Sequence, residues 1–195
     1  AASALSLTSF TLDTTAPTIS TVVFASGDYV NNAEDESTID LVITMSDATA
    51  DGRVATATLN SADYTCTISS NACTASITSA GLKGLTDGTS YSFSVAISDA
   101  AGNAATAHTS ESFIYDITVA AASESTAVTT PTKDTTPDAI ISVAEAGTIT
   151  VAGTTGCALS STATMASGTN TITLGAIGTG DGAYVCTVTF TDTAG

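Results

Sequence analysis

Apolar and polar residues alternate with a period of two along much of the chain. The alternation is clearest at 39–45, 91–97 and 184–190, where every second residue is apolar. This spacing puts the apolar side chains on one face of an extended strand, as half-buried antiparallel strands require. The pattern therefore predicts an all-β protein.

The remaining strands follow from shorter apolar runs bounded by Gly, Asp and Ser. The first part of the chain is predicted to hold strands at 18–24, 39–45, 55–59, 64–68, 73–78, 91–98 and 105–116. The second part is predicted to hold strands at 117–122, 139–144, 147–151, 169–174 and 183–192. Residues 34–36 and 129–137 are predicted to be solvated turns, and no helix is predicted.

Two long segments repeat each other. Residues 87–102 and 181–195 each begin with Asp-Gly, continue as an alternating strand and end in an Asp-x-x-Gly turn. A second repeat relates Ser9-Phe10-Thr11-Leu12-Asp13 to Ser112-Phe113-Ile114-Tyr115-Asp116. The copy at 112–116 follows the first Asp-x-x-Gly turn, so it is predicted to be the last strand of a domain.

The two repeats are out of frame with each other. Residues 1–13 match a last strand but have no domain before them, and the chain stops at Gly195, directly after the second Asp-x-x-Gly turn. We therefore expect three parts. They are a spare N-terminal strand (1–13), a complete domain (14–116) and a second domain that lacks its last strand (117–195).

Several short motifs resemble a known family. They are Asp-Thr-Thr-Ala-Pro-Thr at 13–18, Lys-Asp-Thr-Thr-Pro at 133–137, and the Asp-x-Ala-Gly turns at 99–102 and 192–195. In this order they resemble bacterial Ig-like repeats of large secreted adhesins and biofilm-type surface fibre proteins. The resemblance implies two tandem Ig-like antiparallel β-sandwiches, head-to-tail arrays, a role in adhesion or fibre formation, and no catalysis.

The chain departs from true Ig domains in one respect and agrees in another. Tyr184 stands two residues before Cys186, as in the tyrosine corner of Ig domains. There is no Trp, which excludes the Trp-on-disulfide core of antibody domains.

Charge excludes several classes of partner. The formal net charge is −16, with Arg53, Lys83 and Lys133 as the only cations. Such a chain repels nucleic acids and anionic membrane surfaces. Hydrophobic residues make up 43% of the sequence, enough for a buried core, yet no apolar run approaches the ~20 residues of a membrane span. About a fifth of the residues are Thr, so exposed strands could accept O-glycans.

Four cysteines indicate a secreted or cell-surface protein. The pairs Cys66 with Cys73 and Cys157 with Cys186 are predicted to form disulfides in an oxidising compartment, the first stapling a hairpin. Zinc is the rival interpretation, but neither pair has the C-x2–4-C spacing of zinc sites. Redox switching is the functional alternative to a purely structural role.

The sequence offers little catalytic chemistry. His108 is the only histidine, so a Ser-His-Asp site would have to use it, and no Gly-rich phosphate loop precedes a helix. The chain is therefore predicted not to be an enzyme. The one ligand to weigh is calcium, for which the candidate ligands are Asp13, Asp47, Asp51, Asp99 and Asp116. Turn aspartates that bond their own backbone are the alternative interpretation.

Two functions fit these features. In the first, the chain is a subunit of an extracellular filament and donates its N-terminal strand to the incomplete domain of a neighbouring copy. The anchors would be Leu5, Leu7, Phe10 and Leu12, with a bulge between the two out-of-phase pairs. In the second, the chain is a window of stalk repeats from a large secreted adhesin, and its partners are adjacent repeats of the same chain.

Overall fold

A computed structural model describes residues 8–119, 121–153, 157–160, 163–177 and 180–195. The chain divides into two compact units, Ala1–Asp116 and Ile117–Gly195, here called unit 1 and unit 2. Each is built of β-strands, as the alternating pattern predicted, and its sheets form the sandwich that the resemblance to Ig-like repeats implied. Among the described residues, no helix is long and apolar enough to cross a membrane.

Unit 1 contains ten described strands and one short helix. They are β1 (Ile19–Phe24), β2 (Tyr29–Val30), β3 (Ile39–Met45), β4 (Val54–Leu59), β5 (Ala62–Thr67), β6 (Ala72–Ile77), α1 (Ser79–Leu82), β7 (Thr89–Tyr91), β8 (Ser94–Ala96), β9 (His108–Thr109) and β10 (Phe113–Tyr115). They form three sheets with the orders β1-β3-β6, β5-β4-β8-β9 and β2-β10-β7. All pairings are antiparallel except that of β2 with β10.

The core of unit 1 is centred on three phenylalanines. The Phe24 ring centroid lies 4.8 Å from that of Phe113 and 5.1 Å from that of Phe93. Phe24 lies opposite Leu41 of the neighbouring strand β3, and Leu41 and Ile43 are fully buried. The inward residues of β3 are those that the alternating pattern selected, because period-two spacing assigns each side chain to one face.

Unit 2 contains six described strands. They are β11 (Ala122–Thr126), β12 (Asp138–Val143), β13 (Gly147–Gly153), β14 (Thr164–Met165), β15 (Gly168–Thr173) and β16 (Cys186–Asp192). They form the sheets β11-β12-β15 and β14-β13-β16, all antiparallel. The small core of this unit includes Ile141, Ile149, Met165 and Ile172.

Two predictions about secondary structure were wrong. A helical turn, α1, and a 3-10 turn at Ala48–Ala50 occur where only loops were predicted, because Thr78 and Asp47 cap their first N–H groups. The strand predicted at 117–122 instead begins at Ala122. All side chains of β11 are exposed, so backbone pairing with β12 fixes this strand and the apolar pattern carries no signal for it.

Both cysteine pairs are disulfides, and the first spans the hairpin turn between β5 and β6, where Ser69 and Ala72 pair antiparallel. Cys66 lies in β5 and Cys73 in β6, and these strands belong to different sheets. The bond therefore ties the sheet β5-β4-β8-β9 to the sheet β1-β3-β6, with a Cα–Cα distance of 5.8 Å. Cys157 follows β13 and is joined to Cys186 at the start of β16, with a Cα–Cα distance of 5.4 Å.

Loss of each disulfide should destabilise only its own unit. We expect Cys66→Ala with Cys73→Ala to lower the free energy of unfolding of unit 1 by about 2.5 kcal/mol. Cys157→Ala with Cys186→Ala should lower that of unit 2 by about 3.6 kcal/mol, because the loop closed by this disulfide is longer. Denaturant unfolding followed by hydrogen exchange in each unit measures both. Equal losses in the two units would contradict this assignment.

Candidate functional site

The closing strand of unit 1, β10, lies between two partners. It pairs antiparallel with β7, where Phe113 is opposite Tyr91, and parallel with β2, where Tyr115 is opposite Val30. Phe113 and Tyr115 point inward and are each 1% exposed. The strand therefore satisfies backbone groups on both sides and fills the core at the same time.

The segment leading into β10 is also fixed. The Phe93 amide donates to the Ser110 hydroxyl at 2.9 Å, and the Ser110 amide donates to the Phe93 carbonyl at 2.9 Å. Ser110 is itself buried. These reciprocal bonds hold the chain between β9 and β10 against β8 of the sandwich, so the closing segment crosses from one sheet to the other.

A buried carboxylate holds the end of β10. The Tyr115 hydroxyl donates to Asp35 Oδ2 at 2.6 Å, and Asp35 is only 2% exposed. Burial, together with the hydrogen bond to Asp35, raises the pKa of Tyr115 well above its usual value. The prediction of a solvated turn at 34–36 was wrong for Asp35, because the acidic run gave no sign that one of its members has a tyrosine partner far along the chain.

Unit 2 has a groove where unit 1 has its closing strand. A cavity of about 1120 Å³ opens between the segment around Val128–Pro137 and the segment around Gly180–Cys186. By the repeat, the segment around Gly180–Cys186 corresponds to β7, and the segment around Val128–Pro137 precedes β12 as β2 precedes β3. The floor is apolar and includes Ala139, Ile141 and Ile172 of the unit 2 core. In the described part of unit 2, no strand lies between the two segments.

The inward face of β16, next to this groove, is less buried than the matching residues of unit 1. Cys186, Val188 and Phe190 match Phe93, Val95 and Ile97 of unit 1 by the repeat. The unit 1 residues are buried, whereas the three in unit 2 are only half-buried. Apolar side chains on the correct face thus remain partly in contact with water.

Two other features of the repeat are preserved between the units. Tyr91 Oη accepts a hydrogen bond from the Thr86 amide at 2.9 Å, and Tyr184 Oη donates to the Gly180 carbonyl at 2.8 Å. Both resemble the tyrosine corner of Ig domains, in which the hydroxyl bonds backbone a few residues upstream. Asp99 and Asp192 are both buried, and each accepts amide hydrogen bonds from the turn that follows it.

The N-terminal segment exposes its anchors. Phe10 and Leu12 are 89% and 79% exposed, which is unusual for such large apolar side chains in a globular unit. Asn103 donates from Nδ2 to the Asp13 carbonyl at 3.1 Å, so the end of the segment passes the Asp99 turn. Leu5 and Leu7 lie outside the described residues.

Solved structures with an Ig-like fold are similar to parts of this chain. A bacterial Ig-like domain of the M. primoryensis ice-binding adhesin is 24% identical over 51% of this chain and 94% of that domain, with a TM-score of 0.36. A Ca2+-stabilised adhesin that helps an Antarctic bacterium bind ice is 20% identical over 92% of this chain and 49% of its own, with a TM-score of 0.40.

A third structure, from a 1.5-MDa bacterial ice-binding adhesin, is 20% identical over 82% of this chain and 52% of its own, with a TM-score of 0.43. The chain thus spans about half the length of the latter two structures. It matches no protein-family model and no curated protein. These similarities are to bacterial Ig-like adhesin domains, the family that its motifs resemble.

Four of the predicted calcium ligands already accept hydrogen bonds from backbone amides of turns. Asp13 accepts from the Thr15 amide and Asp47 from the Thr49 amide, each at 3.0 Å. Both Asp51 oxygens accept amides of the turn at 70–71. The hydrogen bonds from Thr49 lower the pKa of Asp47, and those from Asn103 lower the pKa of Asp99.

Asp116, the fifth predicted calcium ligand, and two acidic residues of unit 2 lie elsewhere in the structure. Asp116 is half-buried at the end of β10, where its amide donates to the Val30 carbonyl at 2.9 Å. In unit 2, a carboxylate oxygen of Glu145 lies within 4.8 Å of one of Asp192. Calcium binding therefore stays a prediction. His108 lies on β9, opposite Val95 of β8, as part of a strand pair.

The turns of unit 1 should not need calcium. Because Asp13, Asp47, Asp51 and Asp99 already accept backbone hydrogen bonds, we expect chelation followed by added Ca2+ to leave the unfolding temperature of unit 1 unchanged. Scanning calorimetry of the full chain, with hydrogen exchange to assign each transition, measures this. A rise in the unit 1 transition that Asp51→Asn removes would show that a ligand set has been overlooked.

Proposed function

We propose that the chain is a non-catalytic structural subunit of an extracellular filament or surface fibre. In this proposal, residues 8–13 of one copy, here called the donor segment, enter the unit 2 groove of a neighbouring copy as a β-strand. The observation that carries the proposal is the contrast between the units: β10 fills the position in unit 1 that is an open groove in unit 2. Two disulfides support an oxidising, extracellular location.

The donor segment has the sequence that the groove requires. Phe10 and Leu12 occupy the places of Phe113 and Tyr115 in the repeated motif, and in a strand both point to the same face. Burying such side chains contributes about 1.5–3 kcal/mol each. The backbone of the donor would also pair with the segments around 128–137 and 180–186, as β10 pairs with β2 and β7.

Repeated strand donation gives an open chain of molecules. The donor segment and the groove are different surfaces, so the contact between copies is heterologous. Such a contact propagates into a filament unless its rotation closes a ring.

Charge opposes unspecific association between copies. Each copy carries a net charge of −16, so two copies repel each other at most orientations. Lys133, one of the three cations, lines the groove, and the donor segment ends at Asp13. The groove also carries the carboxylates of Glu124, Asp134 and Asp181, so any attraction between Lys133 and Asp13 is a local one.

A stalk of a large secreted adhesin is the second candidate. Two units of one fold in tandem favour it, because the strand for the groove would then come from the next segment of the same polypeptide. The intact mass of the native product separates the two functions. A mass near 19.1 kDa supports the subunit, and a far larger mass supports the stalk.

The donor anchors should control assembly. We expect Phe10→Ser with Leu12→Ser to weaken association by at least about 100-fold, because two large apolar side chains lose their burial. Deletion of residues 1–13 should abolish filaments. Sedimentation velocity and electron microscopy measure both effects.

The matched control exchanges the outward residues of the same segment. Ser9→Ala with Thr11→Ser leaves both anchors in place, so its filaments should equal those of the unchanged chain. Filaments that persist after deletion of residues 1–13, or equal loss in both double variants, would contradict strand donation.

Removal of the groove cation should slow assembly. We expect Lys133→Glu to lower the association rate several-fold at low salt, with the difference shrinking as salt screens the charges. Arg53→Glu, in unit 1, changes the net charge by the same amount and serves as the control. Stopped-flow light scattering over a salt series measures the rates. If both variants slow assembly equally, Lys133 has no special role.

A further inference from the structure

We propose that one position of the closing strand selects the groove that the strand enters. This position is held by Tyr115 in β10 and by Leu12 in the donor segment. A tyrosine there suits unit 1, and a leucine suits unit 2. The inference rests on the proposed strand donation and adds the determinant of its specificity.

The groove of unit 1 is built for a hydroxyl group. Tyr115 and Asp35 are 1% and 2% exposed, and their oxygens are 2.6 Å apart. Asp35 Oδ1 is buried and has no hydrogen-bond partner among the described residues. A leucine in place of Tyr115 would also leave Oδ2 without its partner, and a buried carboxylate without hydrogen bonds is strongly unfavourable.

The groove of unit 2 has no equivalent carboxylate. Ile39 and Ala139 are the first buried residues of β3 and β12, and each lies opposite an isoleucine, Ile77 or Ile172. Asp35 stands four residues before Ile39, and Thr135 stands four residues before Ala139. Thr135 is therefore the residue of unit 2 that corresponds to Asp35 in this alignment. Thr135 lines the groove, and its carbonyl accepts from the Ile177 amide at 2.9 Å.

The carboxylates that do line the unit 2 groove are placed differently. They belong to Glu124, Asp134 and Asp181, and all three residues are exposed. Asp134 Oδ1 already accepts from the Thr136 amide at 2.9 Å. A tyrosine entering this groove would therefore bring a hydroxyl for which no buried carboxylate is in place among the described lining residues, whereas Leu12 brings no polar atom.

The two preferences together prevent wrong pairings. The donor segment is disfavoured in the groove of unit 1, so it does not displace β10 of its own or another copy. A Phe-x-Tyr strand is disfavoured in unit 2. Specificity arises here from a polar group that the wrong strand leaves unpaired, which is a common way to reject a competitor.

Peptide binding tests the selection. The receptor is the full-length chain with Phe10→Ser and Leu12→Ser, whose own segment cannot compete. The probes are peptides of residues 5–17 with the natural sequence, with Leu12→Phe and with Leu12→Tyr, measured by fluorescence anisotropy. Phe and Tyr differ only in the hydroxyl. We expect Leu12→Tyr to bind at least about tenfold more weakly than Leu12→Phe.

A rescue variant makes the test sharper. Thr135→Asp in the receptor should restore binding of the Leu12→Tyr peptide and weaken binding of the natural one. Equal affinities for the Phe and Tyr peptides, or no rescue by Thr135→Asp, would overturn the selection while leaving strand donation intact. If the natural peptide itself does not bind, strand donation and the selection both fail.

Discussion

The structure depends on two demands that the closing strand of a sandwich must meet at once. Such a strand must pair its backbone on both sides and also bury its inward side chains, because neither an unpaired edge nor an exposed apolar face is stable by itself. In unit 1, β10 does both, since Phe113 completes the cluster with Phe24 and Phe93 while the backbone joins β2 to β7. In unit 1 the sheet β2-β10-β7 and the phenylalanine cluster of the core thus both include β10.

In unit 2, a disulfide holds the strand that aromatic packing holds in unit 1. Cys186 stands where unit 1 has Phe93, so the disulfide to Cys157 replaces an aromatic contact at the point where β16 begins. A covalent bond holds the start of β16 whether or not the groove is filled, whereas an aromatic ring needs neighbours to pack against. The disulfide thus allows unit 2 to keep its strand order with an inward face that is only half-buried. In the proposed assembly, this bond would hold the start of β16 in place before the donor segment enters the groove.

The sequence predicted those features that depend on local spacing. The strands around Leu41 and Val95 follow from period-two alternation, and the burial of Phe113 follows from its place after the Asp99 turn. Features that depend on partners far along the chain could not be predicted from the sequence. The burial of Asp35 requires Tyr115, which is 80 residues away, and the disulfide of Cys66 spans two sheets that no local pattern distinguishes. The groove was predictable only as the absence of a repeated strand, while its apolar floor and Lys133 appear only in three dimensions.

The filament and the stalk place the same physical demand on the groove. In both, a strand with two inward apolar side chains must enter between the same two segments. They differ in how the strand is supplied. A strand on the same polypeptide arrives at an effective concentration in the millimolar range, so even weak complementarity suffices. A strand from another molecule must overcome repulsion between two chains of net charge −16 and the entropy of association. A selective anchor at Leu12 of the donor segment and Lys133 in the groove of unit 2 would have a clear purpose in the second case and little in the first, and on this ground we propose the filament over the stalk.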